Sequence, residues 1–142
     1  MTAPTTVSLD TLTAILAEGP PLRLALLFGS HARGRARPDS DVDIGVIPVD
    51  PELPLHDELH LQARLERACG RPVQLLRLDH AGTLLKWEAA KHGVPLLVRS
   101  PADRSRFVAN AALEHAELAP ALARAAAVFH ERVQAAGRRE MR

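Results

Sequence analysis

Two periods run through this chain, one of short apolar stretches and one of amphipathic stretches, and they separate strands from helices. Leu12, Ile15 and Leu16 recur at helical spacing behind Ser8 and Asp10, either of which is a suitable cap. Gly19-Pro20-Pro21 stops that first helix. Leu22 to Phe28 (LRLALLF) is an apolar run of strand length ended by Gly29. Ala32 to Arg35 reads as one helical turn and Pro38-Asp39-Ser40 as loop. From Asp41 to Ile47 the period is two, with Val42, Ile44 and Val46 on one face and Asp41, Asp43 and Gly45 on the other.

Pro48, Pro51 and Pro54 then force an exposed loop. An amphipathic helix follows over Leu55 to Ala68, closed at Gly70, and Val73 to Leu78 makes a third strand. Thr83 to Lys91 reads as a helix ending at Gly93, with a short fourth strand over Val94 to Val98. Ser100-Pro101 opens a last helix, predicted to run to about Ala136 with a bend at Pro120 and a polar, Arg-rich tail after Gly137. Together these predict an α/β (α+β) protein: a small mixed sheet of about four strands with helices packed on it, plus a C-terminal helical extension. The expected organisation is a domain over residues 1–99 and an extension over 100–142. In that extension Phe107, Ala111, Leu118, Leu122, Ala125, Phe129 and Val133 form an apolar stripe. A short four-stranded layer is a small cover for so long a helix, so the stripe is read both as intramolecular packing and as a surface for another chain.

Composition adds exclusions. A length of 142 residues suits a single core, and a hydrophobic share of 46% with 25% charged residues is that of an ordinary globular protein. The formal net charge of +1 supplies no field to drive the chain onto nucleic acid or an anionic membrane. Cys69 stands alone, which excludes an intrachain disulfide and a cysteine-rich zinc site. No apolar run approaches the ~18 residues of a spanning helix and no signal segment is visible, so the expected location is cytoplasmic.

Candidate chemistry sits where the first strand ends. Gly29 allows a sharp turn and close approach of an anion, Ser30 offers a hydroxyl, and the helical turn after it offers backbone N–H groups. Ten residues later, Asp41 and Asp43 project from one strand face, roughly 6.5 Å apart at the backbone for a rise of about 3.3 Å per residue. Paired carboxylates suit hard divalent cations, and Gly45 on their face is expected to leave room beside them. A lone Gly-Ser is usually a turn and a lone D-x-D a solvated face; a strand ending in Gly-Ser ahead of a strand opening on two acids is a more specific combination.

The segment FGSHARGRARPDSDVDIGV resembles the signature GS-x(10)-D-x-D of the minimal nucleotidyltransferases of the DNA polymerase β superfamily. The element order is similar as well, and length and C-terminal helix resemble the MntA-type antitoxins that pair with HEPN-domain toxins. The resemblance implies a polymerase β palm-like fold, Asp41 and Asp43 as catalytic and metal-binding residues, and Gly29, Ser30, Arg33 and Ser40 as nucleotide-binding residues. It further implies Mg2+ as cofactor, ATP as substrate and a HEPN-type toxin as partner and acceptor of AMP, with no direct nucleic-acid binding. A catalytically impaired antitoxin that neutralises its partner by binding is the alternative, and transfer to a small aminoglycoside-like molecule is a weaker one. The family's third acid falls at Gln74, in VQLLRL; an amide ligates through oxygen but is a very poor base. Asp79, five residues on, falls on the opposite face if the strand is continuous.

Other residues take plainer readings. Arg35 and Arg37 are read both as phosphate contacts and as solvated loop charges, His31 as a surface histidine ahead of a nucleotide contact, and His56 with His60 as a polar helix face rather than a zinc pair. Trp87 is read as core packing and Lys86 as surface, ahead of an approach to a base or phosphate. The chain has no tyrosine, so it cannot accept a tyrosine modification itself.

Overall fold

The computed structural model describes residues 8–29 and 41–140. Eight elements follow in order: α1 (Leu9–Glu18), β1 (Leu22–Phe28), β2 (Val42–Pro48), α2 (Leu55–Cys69), β3 (Val73–Arg77), α3 (Thr83–His92), β4 (Val94–Val98) and α4 (Pro101–Glu140). Each matches an expected element to within a few residues; the turn expected over Ala32 to Arg35 lies outside the described residues. Ser8 caps α1, its hydroxyl accepting from the Thr11 N–H at 3.3 Å. Gly70 closes α2 in the left-handed region, φ 66°, its N–H donating to the Glu66 carbonyl at 2.8 Å.

The sheet order is β3-β2-β1-β4, with β1 antiparallel to both β2 and β4, and β2 parallel to β3. Its central strand β1 is the most apolar segment of the chain because both of its faces are covered. On one face Leu12 and Leu16 of α1 and Leu61 and Leu65 of α2 pack on Ala25, Leu27, Val42, Ile44 and Val46. On the other, Leu24, Leu26 and Phe28 meet Leu78, Ala89 of α3 and Phe107 of α4. The molecule is thus three layers, helix–sheet–helix.

Packing on that second face, by the residue that follows β3, corrects one expectation. Gly45 does not leave open space beside the carboxylates: a Cβ there would lie 2.7 Å from the Leu78 side chain, which fills the position. The acidic face of β2 is open only at its start, and farther along it is core.

The last helix is longer than expected, 40 residues and about 60 Å, and runs unbroken through Pro120 and past Gly137 to Glu140. Its alanine-rich sequence offsets one exposed glycine, which costs about 1 kcal/mol, and Arg138 and Arg139 sit favourably against the helix dipole. The apolar stripe divides. Phe107 and Ala111 are buried against the sheet, whereas Val128, Phe129 and Val133 are exposed, Phe129 at 69%. Lys86 pairs with Glu114 at 2.7 Å, and the Trp87 ring stacks on His115 at 4.6 Å. These contacts join α3 to α4: Trp87 is half-buried between the two helices rather than in the core, and Lys86 has a partner rather than open solvent.

Candidate active site

Strand register builds the site. Phe28, the last residue of β1, pairs with Asp43, the second of β2, and Leu27 pairs with Val94, the first of β4. In the parallel ladder Val42 pairs with Val73 and Asp43 with Gln74. The end of β1 and the starts of β2, β3 and β4 therefore meet at one edge of the sheet.

Gly29 sits on that edge in the left-handed region, φ 75°, which a side chain rarely adopts. The Asp43 Oδ2 atom lies so close to its Cα that any Cβ would collide with it. The glycine therefore does two things: it turns the chain out of β1, and it lets a carboxylate press against the backbone. Asp43 is half-buried and Asp41, one residue ahead of β2, is exposed. Ser30, Arg33 and Ser40 lie outside the described residues.

Gln74 shares the face of Asp43. Paired residues of a parallel ladder project to the same side, and the preceding pair, Val42 and Val73, is buried in the core under α1 and α2. Asp43 and Gln74 consequently point to the opposite side, with Gln74 exposed. Asp79 does not take over that role. It follows the far end of β3, where Arg77 grips both its oxygens, Nε to Oδ1 at 2.9 Å and Nη2 to Oδ2 at 2.7 Å. Partial burial pushes the Asp79 carboxyl up, but the hydrogen bonds and charge of Arg77, helped by His80, outweigh it and leave its pKa lowered. Arg77 also reaches Glu58 of α2 at 3.2 Å, and its own pKa is raised, first by the hydrogen bond to Asp79. Burial raises the Cys69 thiol pKa, with nearby Arg71 opposing, so that cysteine is no ready nucleophile.

The donor set at the sheet edge is all oxygen: two carboxylates and one amide, beside a glycine whose missing Cβ makes the space for one of them. That chemistry suits a hard divalent cation. No group of three or more His, Cys, Asp or Glu side chains converges among the described residues. His56 and His60 are exposed on α2 and belong to no such cluster. No helix of the described residues is long and apolar enough to cross a membrane.

The family model "Polymerase beta, Nucleotidyltransferase" matches residues 10–102, and the chain belongs to that family. No curated protein matches it. Among solved structures, a chain of a toxin–antitoxin complex with AMP-PNP is similar at 26% identity and TM-score 0.74, covering 86% of this chain and 98% of that one. A variant MntA–HepT toxin–antitoxin complex is similar at 25% identity and TM-score 0.74, covering 87% and 99%. A Shewanella oneidensis complex of tri-AMPylated HEPN toxin with MNT antitoxin shares the fold, at 23% identity and TM-score 0.65, covering 86% and 99%. The similarity to these chains therefore extends past the family domain and into α4.

Proposed function

We propose that this chain is a nucleotidyltransferase antitoxin that transfers AMP from ATP to a partner HEPN-type toxin and so neutralises it. The observation that carries the reading is the apposition of Gly29 and Asp43, with Asp41 beside them, at the end of β1. Support comes from the similar toxin–antitoxin chains, one with AMP-PNP and another alongside an AMPylated toxin.

Asp41 and Asp43 are the residues to hold Mg2+, which supplies charge neutralisation for a triphosphate and its pyrophosphate leaving group. Gly29 and Ser30, with Arg33 and Ser40, are assigned to the nucleotide. In the transfer, an acceptor hydroxyl oxygen bonds to the α-phosphorus, and the bond from that phosphorus to the pyrophosphate oxygen breaks. The hydroxyl proton needs a base. Gln74 is not one, which leaves a carboxylate oxygen of Asp41 or Asp43 to take it. The second half of α4, with Phe129 and Val133 exposed, is assigned to the toxin, and residues 100–142 to partner binding.

Gln74 beside Asp43 favours a second reading, an antitoxin that binds nucleotide and neutralises its toxin by contact alone. Incubation of the purified chain with labelled ATP, Mg2+ and a HEPN toxin separates the two. Label on the toxin, lost with Asp41→Ala, supports transfer. Neutralisation without label supports binding alone, and neither outcome overturns the antitoxin assignment.

A further inference from the structure

Arg71 lies in the Gly70-Arg71-Pro72 turn between α2 and β3, and its backbone is held on both sides. Gly70 is fixed by its bond to the Glu66 carbonyl, and the Pro72 carbonyl accepts from the Val42 N–H at 2.9 Å. The turn is thereby placed at the sheet edge that carries Asp41 and Gly29. The side chain is half-buried, and its Nε and Nη1 atoms are closed off from solvent without a hydrogen-bond partner.

Among the described residues these are the side-chain nitrogens that are buried without a hydrogen-bond partner, whereas the equally half-buried Arg77 is held by Asp79 and Glu58. The acid nearest Arg71 in sequence is engaged elsewhere, since Glu66 accepts from the Val73 N–H at 3.2 Å. A half-buried guanidinium keeps its charge and presents a planar fork of donors, and leaving its buried donors unmade is costly. The fork matches the oxygens of a phosphate group, to which arginine binds in bidentate fashion. A divalent cation on Asp41 and Asp43 neutralises part of a triphosphate, and the remaining negative charge calls for a cation at the same edge.

We propose that Arg71 is a phosphate-contacting residue of this site, its guanidinium receiving the polyphosphate of a bound nucleoside triphosphate. The inference rests on the nucleotide-site reading above.

The test compares wild type, Arg71→Gln, Arg71→Lys and Asp43→Asn as full-length chains, by calorimetric titration with Mg2+·AMP-PNP, tripolyphosphate and adenosine, and by thermal melting. Arg71→Gln is expected to weaken AMP-PNP and tripolyphosphate roughly 10- to 100-fold, the worth of a charge-assisted hydrogen bond, with adenosine unchanged. Arg71→Lys retains an intermediate affinity, because it keeps the charge but not the fork. Unchanged affinities in Arg71→Gln beside a weakened Asp43→Asn overturn the role of Arg71 and leave the nucleotide site standing. Wild-type chain that binds neither AMP-PNP nor tripolyphosphate removes both. An Arg71→Gln chain that melts earlier with affinity intact also counts against the proposal, since it makes Arg71 a structural residue.

Discussion

Two glycines in the left-handed region, Gly29 at φ 75° and Gly70 at φ 66°, provide a controlled experiment on the site. A Cβ at Gly70 meets nothing within 4 Å, whereas a Cβ at Gly29 runs into the Asp43 carboxylate. Gly70→Ala therefore carries only the conformational penalty, about 1–2 kcal/mol. Gly29→Ala carries the same penalty plus the displacement of Asp43, which adds of the order of 1–3 kcal/mol for an overpacked contact. The expected total at Gly29 is about 2–5 kcal/mol. Denaturant unfolding of both variants gives the difference directly, and titration with Mg2+ and AMP-PNP reads the site. Gly29→Ala is expected to lose metal-dependent nucleotide binding because Asp43 has moved, while Gly70→Ala binds as wild type. Equal destabilisation by the two substitutions, with Mg2+-dependent binding kept in Gly29→Ala, would refute the apposition of Gly29 and Asp43 as the core of the site.

Three more outcomes are expected. Gln74→Asp places a third carboxylate in register with Asp43; a rise in AMP transfer of about 10²-fold or more shows that the native site lacks an effective base, and an unchanged rate supports Asp41 or Asp43 as the base. Gly45→Ala drives a methyl into Leu78 and should cost about 1–3 kcal/mol, and a Leu78→Ala partner in a double-mutant cycle should recover part of it. Asp79 has a lowered folded-state pKa, so its contribution to stability is present above its unfolded pKa of about 3.9 and is lost as pH falls through the folded value. An acid titration of stability should therefore show a weakening below about pH 4 that is absent in Asp79→Asn; the same slope in both chains removes the ion pair from the account.

The strands and helices were legible because each carries its own local signal: LRLALLF for a strand covered on both faces, D-V-D-I-G-V-I for one that alternates, and glycine or proline at most ends. The paired acids behind Gly-Ser were legible for the same reason, being a short contiguous pattern whose chemistry depends on neighbours in sequence. The continuation of α4 past Gly137 was harder to read, since a single glycine is a weak breaker in an alanine-rich helix.

What sequence alone determined about this protein is its set of elements, the acids at the head of β2 and the amide in place of a third acid. Tertiary structure alone decided how they meet. Register set Gln74 beside Asp43 and carried Asp79 to the far end of β3, where Arg77 holds it. The parallel pairing of β3 beside β2 set Leu78, the first residue after β3, over Gly45, a contact between residues far apart in the chain. Closure of the α2–β3 turn left Arg71 half-buried at the sheet edge, with its Nε and Nη1 atoms closed off and without a hydrogen-bond partner. The pairing of Asp43 with Gln74 and the contact of Gly45 with Leu78 are long-range packing outcomes, set by which strands lie side by side, and no local periodicity records them. The Gly-Ser and D-x-D pattern is local in sequence, and the sheet brings Gly29 and Asp43 into contact, the apposition on which the proposed function rests.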